Sequence, residues 1–203
     1  MTSTARTVDS LVGDLSDADF NLRARALAEL VLRGHEATPA LLAALGSADA
    51  ALRVQAARGL SDIADPACAD LFARLLDDDD ERIRAHAAQG LARLRDPRAL
   101  DALVRTIDDF PDVLRQPFTP SADQLIALGS SALPKVVPLL QSADPMTRAH
   151  AFVVLRSIVS QLPEVSNWEQ LWQSLGRYDP YGSDPQRDRA ADQWLSWLRQ
   201  RGL

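Results

Sequence analysis

Four segments of the chain are copies of one template: DFNLRARALAEL at 19–30, DAALRVQAARGL at 49–60, DERIRAHAAQGL at 80–91 and DPMTRAHAFVVL at 144–155. Each has an Asp, an Arg four residues on, an Ala three after that and a Leu four after that. The arginines fall at 23, 53, 84 and 148, with gaps of 30, 31 and 64, so one degenerate unit lies inside the last gap. A period of this length is the mark of stacked supersecondary units, each too small to bury its apolar face alone.

Within a copy the pattern is helical. Leu22, Ala26 and Leu30 share one face at a spacing of four, as do Leu52, Ala56 and Leu60, and Ile83, Ala87 and Leu91. The central Ala lets neighbouring helices approach closely. Between the copies runs a second set of apolar segments: 38–45, 65–76, 96–107 and 133–140. Each unit therefore reads as a helical hairpin. The start signals agree. Asp19, Asp49 and Asp80 are placed to cap, and Asp65-Pro66, Asp96-Pro97, Asp144-Pro145, Asp184-Pro185 and Thr38-Pro39 put a capping side chain before a proline.

The turn Asp followed by x-R-x-x-A-x-x-x-L resembles the HEAT-repeat family, in particular its short bacterial form related to phycobilin-lyase subunits. The resemblance covers about residues 8–161. It implies an all-α, right-handed α-solenoid of about five hairpins. It also implies a ladder between neighbouring units, built from Asp19, Arg23, Asp49, Arg53, Asp80, Arg84, Asp144 and Arg148. The motif is informative for fold and nearly silent on activity, since such arrays mostly serve as binding scaffolds.

Two stretches depart from the template. In 108–134, Pro111, Pro117 and Pro120 cannot share one uninterrupted helix. The expectation is a degenerate repeat with a Pro-rich loop at 108–122 and a regular helix resuming around Ser121–Leu128. This loop either is tolerated by the stack or projects as a binding element. The C-terminal stretch holds all four tryptophans, Trp168, Trp172, Trp194 and Trp197, beside Tyr178 and Tyr181. Two helices are expected there, about 166–175 and 184–201. The domain reading is therefore a HEAT solenoid over 1–161 and a helical cap over 162–203. A solenoid needs its last unit covered, and an aromatic partner-binding patch is the alternative.

Chemistry-bearing constellations are scarce. His86 and His150 each sit in the sequence RAHA. A HEAT-family enzyme, deoxyhypusine hydroxylase, holds iron through His-Glu pairs in this register, but here Ala87 and Ala151 stand where the carboxylate would be. The His35-Glu36 pair falls in a turn, outside that register. Two histidines about two repeats apart would lie roughly 20 Å from each other, at ~10 Å per helix layer, too far to share a metal. No phosphate loop, dinucleotide fingerprint or nucleophile elbow occurs. Cys68 reads as a small core residue, and the run Asp77–Glu81 as a solvated, capping turn. No catalytic residue, metal site or cofactor is expected. The chain carries a net charge of −6, which argues against a nucleic-acid partner and against the HEAT-like DNA glycosylases. No apolar leader or membrane span is expected, and the single cysteine points to the cytoplasm.

The remaining feature is a row of polar side chains off the Ala/Leu stripe: Arg25, Gln55, Arg58, His86, Gln89, Arg93 and His150. In HEAT arrays the second helices line the concave face. This mildly basic row on an acidic chain is the expected partner-binding surface, with a solvated helix face as the bland alternative. The function expected is a non-enzymatic protein-binding scaffold or adaptor. The rivals are a phycobilin-lyase-like enzyme subunit and self-association through the Trp-rich end, which would make a homo-oligomer.

Overall fold

The computed structural model describes residues 6–111 and 118–202. Asp112–Pro117, which carry the centre of the expected Pro-rich loop, lie outside the described residues. The fold is an all-α solenoid of helical hairpins, with no strand among the described residues. Its internal contacts divide it into two compact units, Met1–Ala99 and Leu100–Leu203.

The first unit contains three hairpins: α1 (Val8–Asp14) with α2 (Phe20–Arg33), α3 (Thr38–Ala44) with α4 (Ala50–Ile63), and α5 (Ala69–Leu75) with α6 (Glu81–Arg93). The second helices pack side by side, α2 on α4 and α4 on α6, with α1, α3 and α5 behind them. The expected stripe is the core. Ala26, Leu30, Ala56, Leu60, Ile83, Ala87 and Leu91 are buried. Val54, Ala57 and Ile83 form one cluster across two repeats, covered by Leu45 and Leu75. Helix approach is so close at Gly90 that a Cβ there would lie 2.7 Å from the buried Phe72 ring.

The turn chemistry repeats as regularly as the core. Asp19, Asp49 and Asp80 accept from the backbone N–H of Asn21, Ala51 and Arg82, capping α2, α4 and α6. The template arginine then clamps the turn before its own helix. Arg23 donates one terminal nitrogen to the carbonyls of Asp17 and Ala18, Arg53 to those of Ser47 and Ala48, and Arg84 to those of Asp78 and Asp79.

The second unit holds α8 (Pro120–Leu128), α9 (Leu133–Val136), α10 (Pro145–Val159), α11 (Trp168–Ser174) and α12 (Asp184–Arg199). A further helix, α7 (Ala99–Arg105), begins at the boundary. Pro120 opens α8 rather than belonging to the loop. It occupies the first turn, where a missing N–H costs nothing, and Thr119 caps it by accepting from Ala122 N–H. The stretch expected as a helix over 133–140 is α-helical only to Val136 and continues as a 3-10 turn over Val137–Gln141. Pro138 removes the N–H that an α-helix needs there. Two expected caps also differ. Thr38 lies inside α3 and turns its hydroxyl to Asp65, 3.3 Å away. Asp184 is the first residue of α12, and its carboxylate takes a bond from Arg187 at 2.6 Å.

Trp194, Trp197 and Tyr178 are buried in this second unit, and Phe152, Trp168 and Trp172 are half-buried around them. Trp168 stacks on Trp194 at 5.5 Å, and Trp194 meets Trp197 edge-on at 5.9 Å. Phe152 of α10 packs on Tyr178 and Trp168. The Tyr178 hydroxyl donates to Leu140 O at 2.6 Å, and Trp172 donates its indole N–H to Tyr178 O at 2.9 Å. Burial pushes the Tyr178 hydroxyl up to about 12.

Candidate protein-binding face

The second-helix face of the first unit carries six of the seven expected residues. Arg25, Arg58 and Arg93 are exposed, and Gln55 and Gln89 are half-buried. His86 departs from the expectation of an outward-facing side chain, being only 8 % exposed. Its row faces the neighbouring second helix. Nδ1 of His86 meets Gln89 Oε1 at 3.1 Å. Burial pushes the imidazole below its ordinary range, opposed by the Gln89 bond and by Asp62 and aided by the nearby Arg58 and Arg93 charges.

An ionic bridge crosses the face. Arg93 donates to Asp62 at 2.9 Å and to the buried Ser61 hydroxyl at 2.8 Å, tying α6 to α4. Arg58 approaches Asp62 only to 3.8 Å. Arg25 has no ion pair among the described residues. Arg93 thus serves packing, whereas Arg25 has its charge unpaired among the described residues and Arg58 is held only at the 3.8 Å contact with Asp62.

Beside these polar groups lies a groove of about 520 Å³ between α2 and α4. Phe20, Ala24, Leu27, Ala28, Val31 and Leu32 form its apolar side; Gln55, Arg58 and Asp62 line the other. Phe20, Ala24, Leu27 and Val31 are not among the expected surface residues. Their signal was present: Phe20, Ala24, Leu27 and Val31 recur at intervals of four, three and four, a row separate from the Ala26/Leu30 stripe.

His150 belongs to the second unit and is 1 % exposed, again unlike the expected outward-facing residue. Nδ1 meets Asp108 Oδ1 at 2.6 Å, and the other oxygen of Asp108 accepts from Thr147 Oγ at 2.5 Å. Burial pushes the Asp108 carboxyl up, but the bonds from His150 and Thr147 outweigh it and hold the group below its usual value. A depressed carboxylate stabilises the fold above its unfolded pKa and loses that contribution as pH falls through the folded one. Asp108→Asn is therefore expected to be less stable than wild type at pH 6, with the difference shrinking below pH 4. Urea unfolding at a series of pH values checks this; a pH-independent difference would contradict it.

The single thiol, Cys68, is buried, and burial pushes its pKa up. Among the described residues no group of three or more His, Cys, Asp or Glu could hold a metal ion, and no helix is long and apolar enough to cross a membrane.

Residues 38–119 match the family model of HEAT repeats. No curated protein matches the chain. Among solved structures, the complex of CpcE and CpcF of phycocyanin lyase from Nostoc sp. PCC7120 is 23% identical, with a TM-score of 0.49, over 94% of this chain and 76% of that one. Two engineered proteins are similar at 19% and 20% identity with TM-scores of 0.47 and 0.43, over 97% and 95% of this chain and 98% and 100% of theirs.

Proposed function

We propose that this chain is a non-enzymatic protein-binding scaffold that recognises its partner through the second-helix face of its HEAT repeats. The observation that carries this reading is the α2/α4 groove, apolar along one side and edged by arginines on a chain of net charge −6. Apolar contact supplies affinity, and rim charges select the partner and speed encounter. Repeat arrays present extended surfaces of this kind, because each unit contributes the same helix face. In the same reading, the Asp and Arg of each turn hold neighbouring repeats in register. Arg53 supports this, since its charge lowers the Asp80 carboxyl of the next repeat, secondary to the bonds from Arg82. The Trp-rich helices α11 and α12 serve as the terminal cap. The working compartment we assign is the cytoplasm.

The test is the double variant Arg25→Glu/Arg58→Glu. Arg93 is a poor choice because its bonds to Asp62 and Ser61 are structural. The variant is expected to keep the wild-type circular dichroism and to recover native-host partners at a level reduced roughly tenfold, about 1.4 kcal/mol. Unchanged recovery overturns the assignment of this face.

A further inference from the structure

Helix α2 presents two apolar rows, and the fold buries only one of them fully. Ala26 and Leu30 enter the core of the first unit. Phe20, Ala24, Leu27 and Val31 form the second row, with the i, i+4, i+7, i+11 spacing of a helix-pairing seam. Leu27 is buried at its centre, while Phe20 at one end is 69% exposed, and Leu32, next to Val31 on the outer edge of the groove, is 87% exposed. Scattered exposed apolar side chains are ordinary; a contiguous row lining a groove marks a binding surface.

The dimensions define the occupant. Phe20 and Leu32 are twelve residues apart on one helix, which is about 18 Å at 1.5 Å per residue. A helix of about three turns has that length. The exposed Ala24 and Ala28 lower the floor between the bulky ends, letting a second helix lie close.

The charge defines it further. Arg25 lies seven residues before Leu32 and so shares its row, on the outer edge of the groove. Arg58 stands on the opposite wall. The acidic groups nearby are already engaged: Asp62 by Arg93 at 2.9 Å, and Glu29 by Arg33 at 3.0 Å. The groove is thus apolar in its floor and positive on both edges.

We propose that this groove takes an amphipathic helix of about three turns from a partner protein, with carboxylates flanking its apolar stripe. This inference rests on the protein-binding reading above and adds the chemical class of the partner. The incoming helix lays its apolar residues between Phe20 and Leu32 and its carboxylates against Arg25 and Arg58.

The test uses a displayed library of 16-residue peptides. Leu is fixed at i, i+4, i+7 and i+11, and every other position is drawn from Glu, Lys, Gln and Ala. The library is panned against the full chain and against Phe20→Ser/Leu32→Ser, whose substitutions fall on exposed side chains. Selected peptides are expected to favour Glu over Lys clearly. They should bind the Phe20→Ser/Leu32→Ser and Arg25→Glu/Arg58→Glu chains roughly tenfold more weakly than wild type, as loss of apolar anchors or of edge charges requires. No clone above background, equal use of Glu and Lys, or undiminished binding to Phe20→Ser/Leu32→Ser overturns the proposal. Failure here with a continued loss of native-partner recovery in Arg25→Glu/Arg58→Glu removes the helical occupant alone. Unchanged recovery removes the wider reading.

Discussion

Trp194→Ala is expected to destabilise the second compact unit by about 3–5 kcal/mol, the cost of deleting a large aromatic from a packed core. Trp194 is fully buried, stacked on Trp168 and edge-on to Trp197. Its removal takes one packing surface from each of these neighbours. The measurement is convenient because all four tryptophans lie in this unit, so intrinsic fluorescence reports its unfolding alone. With a urea dependence of about 2 kcal/mol per molar, the midpoint should fall by roughly 1.5–2.5 M. The conservative variant sharpens the test. The indole Nε1 of Trp194 is buried without a partner, so Trp194→Phe removes a polar group that gains nothing in place. It should retain most of the stability that Trp194→Ala loses. A loss below about 1 kcal/mol in Trp194→Ala would show that these aromatics do not form the core of the unit.

The repeat was legible because it is written by local rules. An Asp that caps two residues on, an Arg that reaches back over its own turn, and an Ala/Leu stripe at fixed spacing each act within one hairpin. The Asp caps and the Ala/Leu stripe appear at 19–30, 49–60 and 80–91 as read, whereas the Arg, expected in a ladder between neighbouring units, bonds the turn before its own helix. Legibility failed where a side chain's surroundings depend on the next helix. His86 and His150 lie two residues after the template Arg and off the Ala/Leu stripe, so the helical wheel pointed them to solvent. That row abuts a neighbouring element instead. His86 comes under the charges of Arg58 and Asp62 on α4, and His150 meets Asp108 from outside α10. Arg25 occupies the same template position on α2 and is exposed. The position therefore has no fixed environment, and only packing decides it. The groove was missed for the converse reason. Phe20 and Leu32 are ordinary helix residues in sequence, and become a feature only when α4 fails to cover them. Proline did not mark where the helix resumes. Pro120 reads as a breaker until Thr119 is seen capping the helix it opens.

Arg148→Met should cost about 3–4 kcal/mol, more than the same change at the other template arginines, because charged hydrogen bonds contribute about 1.5–3 kcal/mol each when buried. Arg148 shares the common clamp, donating one terminal nitrogen to Ser142 O at 2.8 Å and Ala143 O at 2.9 Å. It adds a bond from Nε to Pro180 O at 2.7 Å, and it is 6% exposed. Its loss strands carbonyls from two separate segments, the turn before α10 and the segment between α11 and α12. Arg53 makes the clamp at a half-exposed site, where water can replace the lost donor, so Arg53→Met should cost about 1 kcal/mol. Arg148→Lys discriminates the cause. A single ammonium restores charge but cannot serve the turn and Pro180 with separate, fixed donors. It should recover less than half of the loss if the forked geometry is what matters. Equal losses in Arg148→Met and Arg53→Met, read by urea unfolding, would mean that the third bond contributes nothing. Full rescue by Lys would mean that charge alone sufficed. The RAHA of residues 148–151 then divides by role: its Arg closes a turn and bridges to the Trp-rich segment, its alanines let helices meet, and its His is held by Asp108 inside the fold.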